Sequence, residues 1–167
     1  MKKGLILVVE HEEPYRATPT DGLILRAVGR GFQVCLIRFA EGLGEIPATS
    51  QNRIKEFLDV HELWKNFQNT NENLTPPVED LRAAWKEAVG IISSGHFHLV
   101  ILEELSTLLD HDAISEAEVL QFLRNRPPDQ HIAITGTNIP EWLASAADTV
   151  THIATVRAQP KSEKTLN

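Results

Sequence analysis

The chain has almost no cysteine and little positive charge, and it lacks glycine at the one place where a glycine-rich loop would be expected. The single cysteine, Cys35, excludes an internal disulfide, and its setting in the apolar run FQVCLIRF marks it as a packed strand residue, not a reactive thiol. Sixteen basic residues against 23 acidic ones leave a formal net charge of -7, which argues against a general nucleic-acid or anionic-membrane surface. The opening run MKKGLILVVE is too short for a membrane span, and no small-residue cleavage site follows it, so a cytoplasmic protein is expected. Between Gly4 and Gly22 there is no glycine at all. What remains is ordinary for a globular protein, 42% apolar and 23% charged over 167 residues, enough for one domain with a real core.

The periodicities alternate between strand and helix. GLILVV (4–9), QVCLIRF (33–39), FHLVILEEL (97–105), HIAITG (131–136) and TVTHIATV (149–156) read as strands, the first and third as strands buried on both faces. DGLILRAVGRG (21–31) has helical spacing, with Asp21 as a cap and Gly29 or Gly31 as its end. VEDLRAAWKEAVGIISSG (78–95) predicts an amphipathic helix with Val78, Leu81, Trp85, Val89 and Ile92 on one side. SEAEVLQFLRNRP (115–127) carries a capping box, Ser115 with Glu118, and PEWLASAAD (140–148) starts a short helix on a proline. Residues 53–67 fit a helix or a strand plus a helix, and 40–52 and 68–77 read as loops. The expected fold is therefore α/β: three layers, a mostly parallel sheet with helices on both faces. Residues 1–157 form a single domain in this reading, and 158–167 a disordered tail.

In such a fold ligands bind beyond the carboxyl ends of the strands, which singles out three stretches. The first is HEEPYRATPT (11–20). A phosphate loop aims backbone N–H groups at anionic oxygens, uses glycines for close approach, a lysine for the outer phosphates and a Ser/Thr hydroxyl for Mg2+. Here prolines 14 and 19 each remove a donor, Glu12 and Glu13 oppose a polyphosphate, and Arg16 is the only cation in reach; the stretch also fits an ordinary solvated loop. The second is VILEELS, where Glu103 and Glu104 either hold Mg2+ or orient a water, or are helix-start or surface carboxylates. The third is ITGTN, where Gly136 after a strand permits a tight turn near a ligand. His96 and His98 could share a strand face, but no third metal ligand accompanies them.

The segments GLILVV, LRAVGRGFQVCLIRFAEG, HLVILEELSTLL, EVLQFLRNRPPDQHIAITG and LASAADTVTHIATV, in this order and spacing, with a tryptophan at 85 within a helix, resemble the corrinoid adenosyltransferases of the P-loop type. The likeness runs from Gly4 to about Val156. It implies a RecA-like P-loop NTPase fold, a homodimer, and transfer of the 5′-deoxyadenosyl group of ATP to Co(I) of a corrinoid with release of triphosphate. Cofactors and substrates implied are ATP, Mg2+ and cobalamin.

The departures from the family pattern cluster. Its phosphate loop, Gly-x-Gly-Lys-Gly-Lys-Thr-Thr, falls on HEEPYRAT (11–18): the glycines become His11, Glu13 and Tyr15, the lysines Pro14 and Arg16, the first threonine Ala17, and only Thr18 survives. Its Asp-Glu pair falls on Glu103 and Glu104, its Thr-Gly-Arg on Thr135, Gly136 and Thr137, and its corrinoid-facing Phe-x-Trp on Phe67, Gln68 and Asn69. The resemblance leaves Arg16, Thr18, Thr135 and Gly136 as degenerate nucleotide-binding positions, Glu103 and Glu104 as metal positions, and Phe67 as corrinoid-facing. Losing one preorganised donor costs about 3 kcal/mol of barrier, so losing several predicts a non-catalytic paralogue that binds a corrinoid, another small molecule or a protein partner. The alternatives are an active transferase with altered nucleotide geometry, built on Arg16, Thr18, Glu103 and Glu104, and a protein-interaction module using QNTNENLTPP and the acidic residues 10–13.

Overall fold

The computed structural model describes residues 3–12, 20–41, 54–67, 76–154 and 156. Six strands form one sheet, β1 (Ile6–His11), β2 (Val34–Arg38), β3 (Leu58–Glu62), β4 (Leu99–Glu103), β5 (His131–Gly136) and β6 (Thr149–Ile153), in the order β3-β2-β4-β5-β1-β6. Every pairing is parallel. Residues of β2 and β4 are buried at all five positions, as the unbroken apolar runs VCLI and LVIL require of strands covered on both faces. The edge strand β6 is exposed along most of its length.

The helices are α1 (Asp21–Val28), α2 (Val78–Ser94), α3 (Ser106–Asp110), α4 (Glu116–Asn125) and α5 (Glu141–Ala146). One side of the sheet packs Val8, Ile37, Val100, Leu102 and Ile134 against Leu81, Trp85, Ala88 and Ile92 of α2, Val119 and Leu123 of α4, and Leu143 of α5. The other side packs Leu36, Ile101 and Ala133 against Ile24 and Ala27 of α1. Helices on both faces of a parallel sheet give the three-layer α/β fold expected from the alternation of periods.

Several local expectations are refined. Residues 54–67 hold β3 followed by a short 3₁₀ helix, Leu63–Phe67, so of the two readings the strand plus a helix is the one found. The buried face of α2 includes Ala84 and Ala88, while Val78 and Val89 are only partly covered. The short helix α3 was not anticipated, because five residues are too few for a helical period to show. Asp21 is not the cap of α1: Thr20 holds the N-cap position and makes no capping bond with its side chain, because its hydroxyl is engaged elsewhere. The capping box of Ser115 and Glu118 is present as expected. Most of the loops expected at 40–52 and 68–77 and the tail from 158 lie outside the described residues.

Because all six strands run the same way, their carboxyl ends share one edge of the sheet. Register places Arg38 beside Glu103, Glu10 beside Gly136, and Glu10 beside His152 on the far side. Charged and polar residues distant in sequence are thereby brought to one rim.

Candidate functional site

Glu103 closes β4 and is almost wholly buried. Its Oε2 accepts from Nε of Arg38 at 2.7 Å and its Oε1 from the hydroxyl of Thr20 at 2.5 Å. Burial pushes its carboxyl above the ordinary value, and the bond from Thr20 and the charge of Arg38 oppose that rise. An acid buried in low dielectric needs both partners, since an unpaired buried charge is costly.

Glu104 follows in a left-handed backbone conformation, φ 59°, which costs a non-glycine residue about 1–2 kcal/mol. The twist turns its amide N–H onto the hydroxyl oxygen of Thr135, 3.1 Å away, and its carboxylate toward His11, whose Nε2 lies 2.5 Å from Oε1. The hydroxyl of Thr135 donates to the same Oε1 at 3.4 Å. His11, Glu104 and Thr135 are all buried. Gly136 comes next on β5. A Cβ there would lie 2.6 Å from Oγ of Ser106 and 2.7 Å from its Cβ, so glycine lets the start of α3 press against the strand end. The turn expected at Gly136 is thus a close approach, and the hydroxyl of Ser106 accepts from the Thr137 N–H at 3.3 Å.

Beyond this buried layer opens a cavity of about 540 Å³, lined by Glu10, His11, Glu12, Asp110, Thr137, Asn138 and His152. Glu10 is held between the Ile139 N–H, 3.1 Å from Oε1, and Nδ1 of His152, 3.1 Å from Oε2. Nε2 of His152 lies 3.8 Å from Glu12. Asn138 is left-handed, φ 49°, a conformation asparagine tolerates better than most residues. Among the described residues, three carboxylates and two imidazoles line the space, and none of the described lining residues is arginine or lysine.

Of the residues singled out in the sequence, Glu103, Glu104, Thr135 and Gly136 converge at this rim. Neither glutamate is a surface carboxylate, since both are buried; Glu104 does stand at a helix start, in the turn leading into α3, where its carbonyl accepts from the Thr107 N–H. Arg16 and Thr18 lie outside the described residues. Phe67 ends the 3₁₀ helix after β3, and its side chain, with Gln68 and Asn69, also lies outside them. His98 is not in a strand: its ring stacks on Phe32 at 5.1 Å and its Nδ1 accepts from the Gln33 N–H. Among the described residues no group of three His, Cys, Asp or Glu side chains is placed to hold a metal ion. Sequence reasoning missed Arg38, Thr20, His11 as a buried partner, and the Glu10–His152 pair. A cue was present for Arg38 alone, a charge ending one buried strand where carboxylates end another.

The sequence model of the family described as ATP:corrinoid adenosyltransferase BtuR/CobO/CobP matches residues 2–165. The chain belongs to this family. It is 27% identical over 157 residues to a corrinoid adenosyltransferase of Pseudomonas aeruginosa, covering 93% of this chain and 77% of that protein. With a corrinoid adenosyltransferase of Sinorhizobium sp it shares 29% over 162 residues, 93% of this chain and 74% of the relative. With that of Escherichia coli K12 it shares 26% over 161 residues, 93% and 79%. The all-parallel sheet agrees with the RecA-like P-loop architecture expected of a corrinoid adenosyltransferase, and the polar rim described above lies where that architecture places its ligands.

Proposed function

We propose that this chain is a corrinoid adenosyltransferase-family protein that has lost productive binding of the ATP triphosphate, and with it adenosyl transfer, and serves as a binding or regulatory protein. One observation carries the reading. The carboxylates at the end of β4, where Mg2+ would be sought, are engaged from inside the fold: both oxygens of Glu103 by Arg38 and Thr20, and Oε1 of Glu104 by His11 and Thr135. A magnesium ion needs oxygen ligands at about 2.0–2.1 Å in near-octahedral geometry, and these oxygens are turned toward nitrogen and hydroxyl donors instead. This supports the reading that the described residues do not fit Mg2+-triphosphate.

The adjoining cavity supports the same reading. Glu10, Glu12 and Asp110 line it, and a carboxylate about 4 Å from a phosphate oxygen costs about 1–4 kcal/mol, least where solvent screens it. His11 stands at the first glycine position of the family loop and is buried against Glu104, so a side chain fills space that a phosphate loop leaves for backbone donors. By family membership the ligand kept is a corrinoid and the assembly a homodimer. Neither nucleic acid nor membrane is part of the proposal: the net charge is -7, and among the described residues no helix is long and apolar enough to cross a membrane.

Calorimetry with Mg2+-ATP tests the reading, with a relative that carries the intact loop as positive control. The expected result is no measurable heat of binding here, together with no adenosylcobalamin above background when ATP is mixed with chemically reduced cobalamin. Micromolar affinity for Mg2+-ATP, or product above background, would overturn it. Titration with cobalamin followed by visible absorbance then tests whether the corrinoid is retained.

A further inference from the structure

We propose that Arg38 is the resident cation of this rim: its guanidinium supplies to Glu103 the positive charge that a divalent ion would otherwise bring, so the site is metal-independent by construction. The inference rests on the reading above and names the residue that closes the site.

The geometry is specific. Parallel register sets Arg38, the last residue of β2, directly beside Glu103, the last residue of β4, and the Phe39 N–H that follows donates to the Glu103 carbonyl at 3.0 Å. The two strand ends are thus locked together by backbone as well as side chain. Arg38 is 5% exposed and Glu103 1%, and Nε and Oε2 are 2.7 Å apart, the distance of a charge-assisted bond. Thr20 takes the other carboxylate oxygen. Each oxygen of Glu103 therefore has a donor fixed by a different element: β2 supplies one and the start of α1 the other.

The rest of the guanidinium is poorly served. Nη1 is 3.9 Å from Glu62, and Nη2 is buried without a hydrogen-bond partner. An arginine placed for hydrogen bonding would not leave a donor orphaned in the interior. One retained for its charge would, because the carboxylate beside it cannot be left uncompensated. To reach Glu103 a divalent ion would have to share its oxygens with Nε and the Thr20 hydroxyl and sit within a few ångströms of a permanent positive charge, since arginine does not deprotonate in proteins. His11 closes the neighbouring Glu104 by hydrogen bonding.

Thermal unfolding and Mn2+ binding followed by electron paramagnetic resonance, both without nucleotide, test the proposal. Wild type is expected to show no Tm shift with millimolar Mg2+ or Mn2+ and no depletion of the free Mn2+ signal. Arg38→Ala is expected to unfold at lower temperature, to regain part of that loss when Mn2+ is added, and to deplete the Mn2+ signal; the pair Arg38→Ala with Glu103→Gln is expected to lose the response. Stoichiometric Mn2+ binding by wild type, or a folded Arg38→Ala chain as inert to Mn2+ as wild type, overturns the proposal. Should Arg38→Ala not fold, Arg38→Met with Glu103→Leu decides: removal of both charges restores a folded, metal-inert chain if Arg38 acts as counter-charge, and continued failure to fold shows a packing role and overturns it. ATP bound in the absence of metal would defeat the function proposed above while leaving Arg38 its role, so the two failures are distinguishable.

Discussion

Glu104 shows how much a single residue at this rim is asked to do. Its left-handed backbone lets one residue use amide and carboxylate together, the first on Thr135 and the second on His11. Strain of this kind persists where the surroundings over-determine it, and here β1, β4 and β5 do so. Gly136 is the companion constraint, since any side chain would collide with Ser106. Gly136→Ala is expected to destabilise the fold by about 1–3 kcal/mol through overpacking, measured by urea unfolding, and Ser106→Gly in the same chain is expected to return part of the loss. Nothing in ITGTN distinguishes this glycine from one in a ligand-facing turn; the distinction depends on α3, whose five residues carry no period of their own.

At the scale of one element, helix α4 was the most legible. Ser115 and Glu118 close the box with bonds in both directions: the Glu118 N–H donates to the Ser115 hydroxyl at 3.3 Å, and the Ser115 N–H and hydroxyl donate to the Glu118 carboxylate at 2.8 and 2.7 Å. These contacts lie within three residues, so the sequence carries all of them. The hydroxyl and then the N–H of Ser115 hold the Glu118 carboxyl below its ordinary value of 4.5. A carboxyl with a depressed value in the folded state stabilises fully above the unfolded value and loses that contribution as pH falls through the folded one. Ser115→Ala is therefore expected to cost about 1 kcal/mol at neutral pH, and its difference from wild type, followed by urea unfolding, is expected to narrow as pH drops below 4.5. Helix α1 makes the opposite case. Asp21 looks like its cap, but Thr20 holds that position and spends its hydroxyl on Glu103, 83 positions away, a partner that no local pattern names.

For the whole molecule, the sheet order is the decisive quantity. Cys35 lies in β2, between β3 and β4, and is fully buried. Burial, with a smaller contribution from the charge of Asp59, pushes its thiol up to about 12, so both access and thiolate fraction are denied. Labelling by a thiol reagent is expected only upon unfolding of the β2 region, at a rate that rises with urea in step with loss of the folded signal. Rapid stoichiometric labelling of the native chain would contradict the strand's position inside the sheet.

The sequence by itself determined that this is an α/β chain with buried parallel strands, because burial on both faces leaves continuous apolar runs, and it determined the family, because the matching segments stand in order over nearly the whole length. It also brought Glu103, Glu104, Thr135 and Gly136 into question together, since residues at strand ends must meet on one edge of a parallel sheet. Only the tertiary structure decided what those residues touch. Arg38 meets Glu103 through strand register, Thr20 through the crossover of α1, and His11 meets Glu104 across the sheet. These pairings are set by which strands lie side by side, and that order arises from packing among distant segments, leaving no periodic trace along the chain.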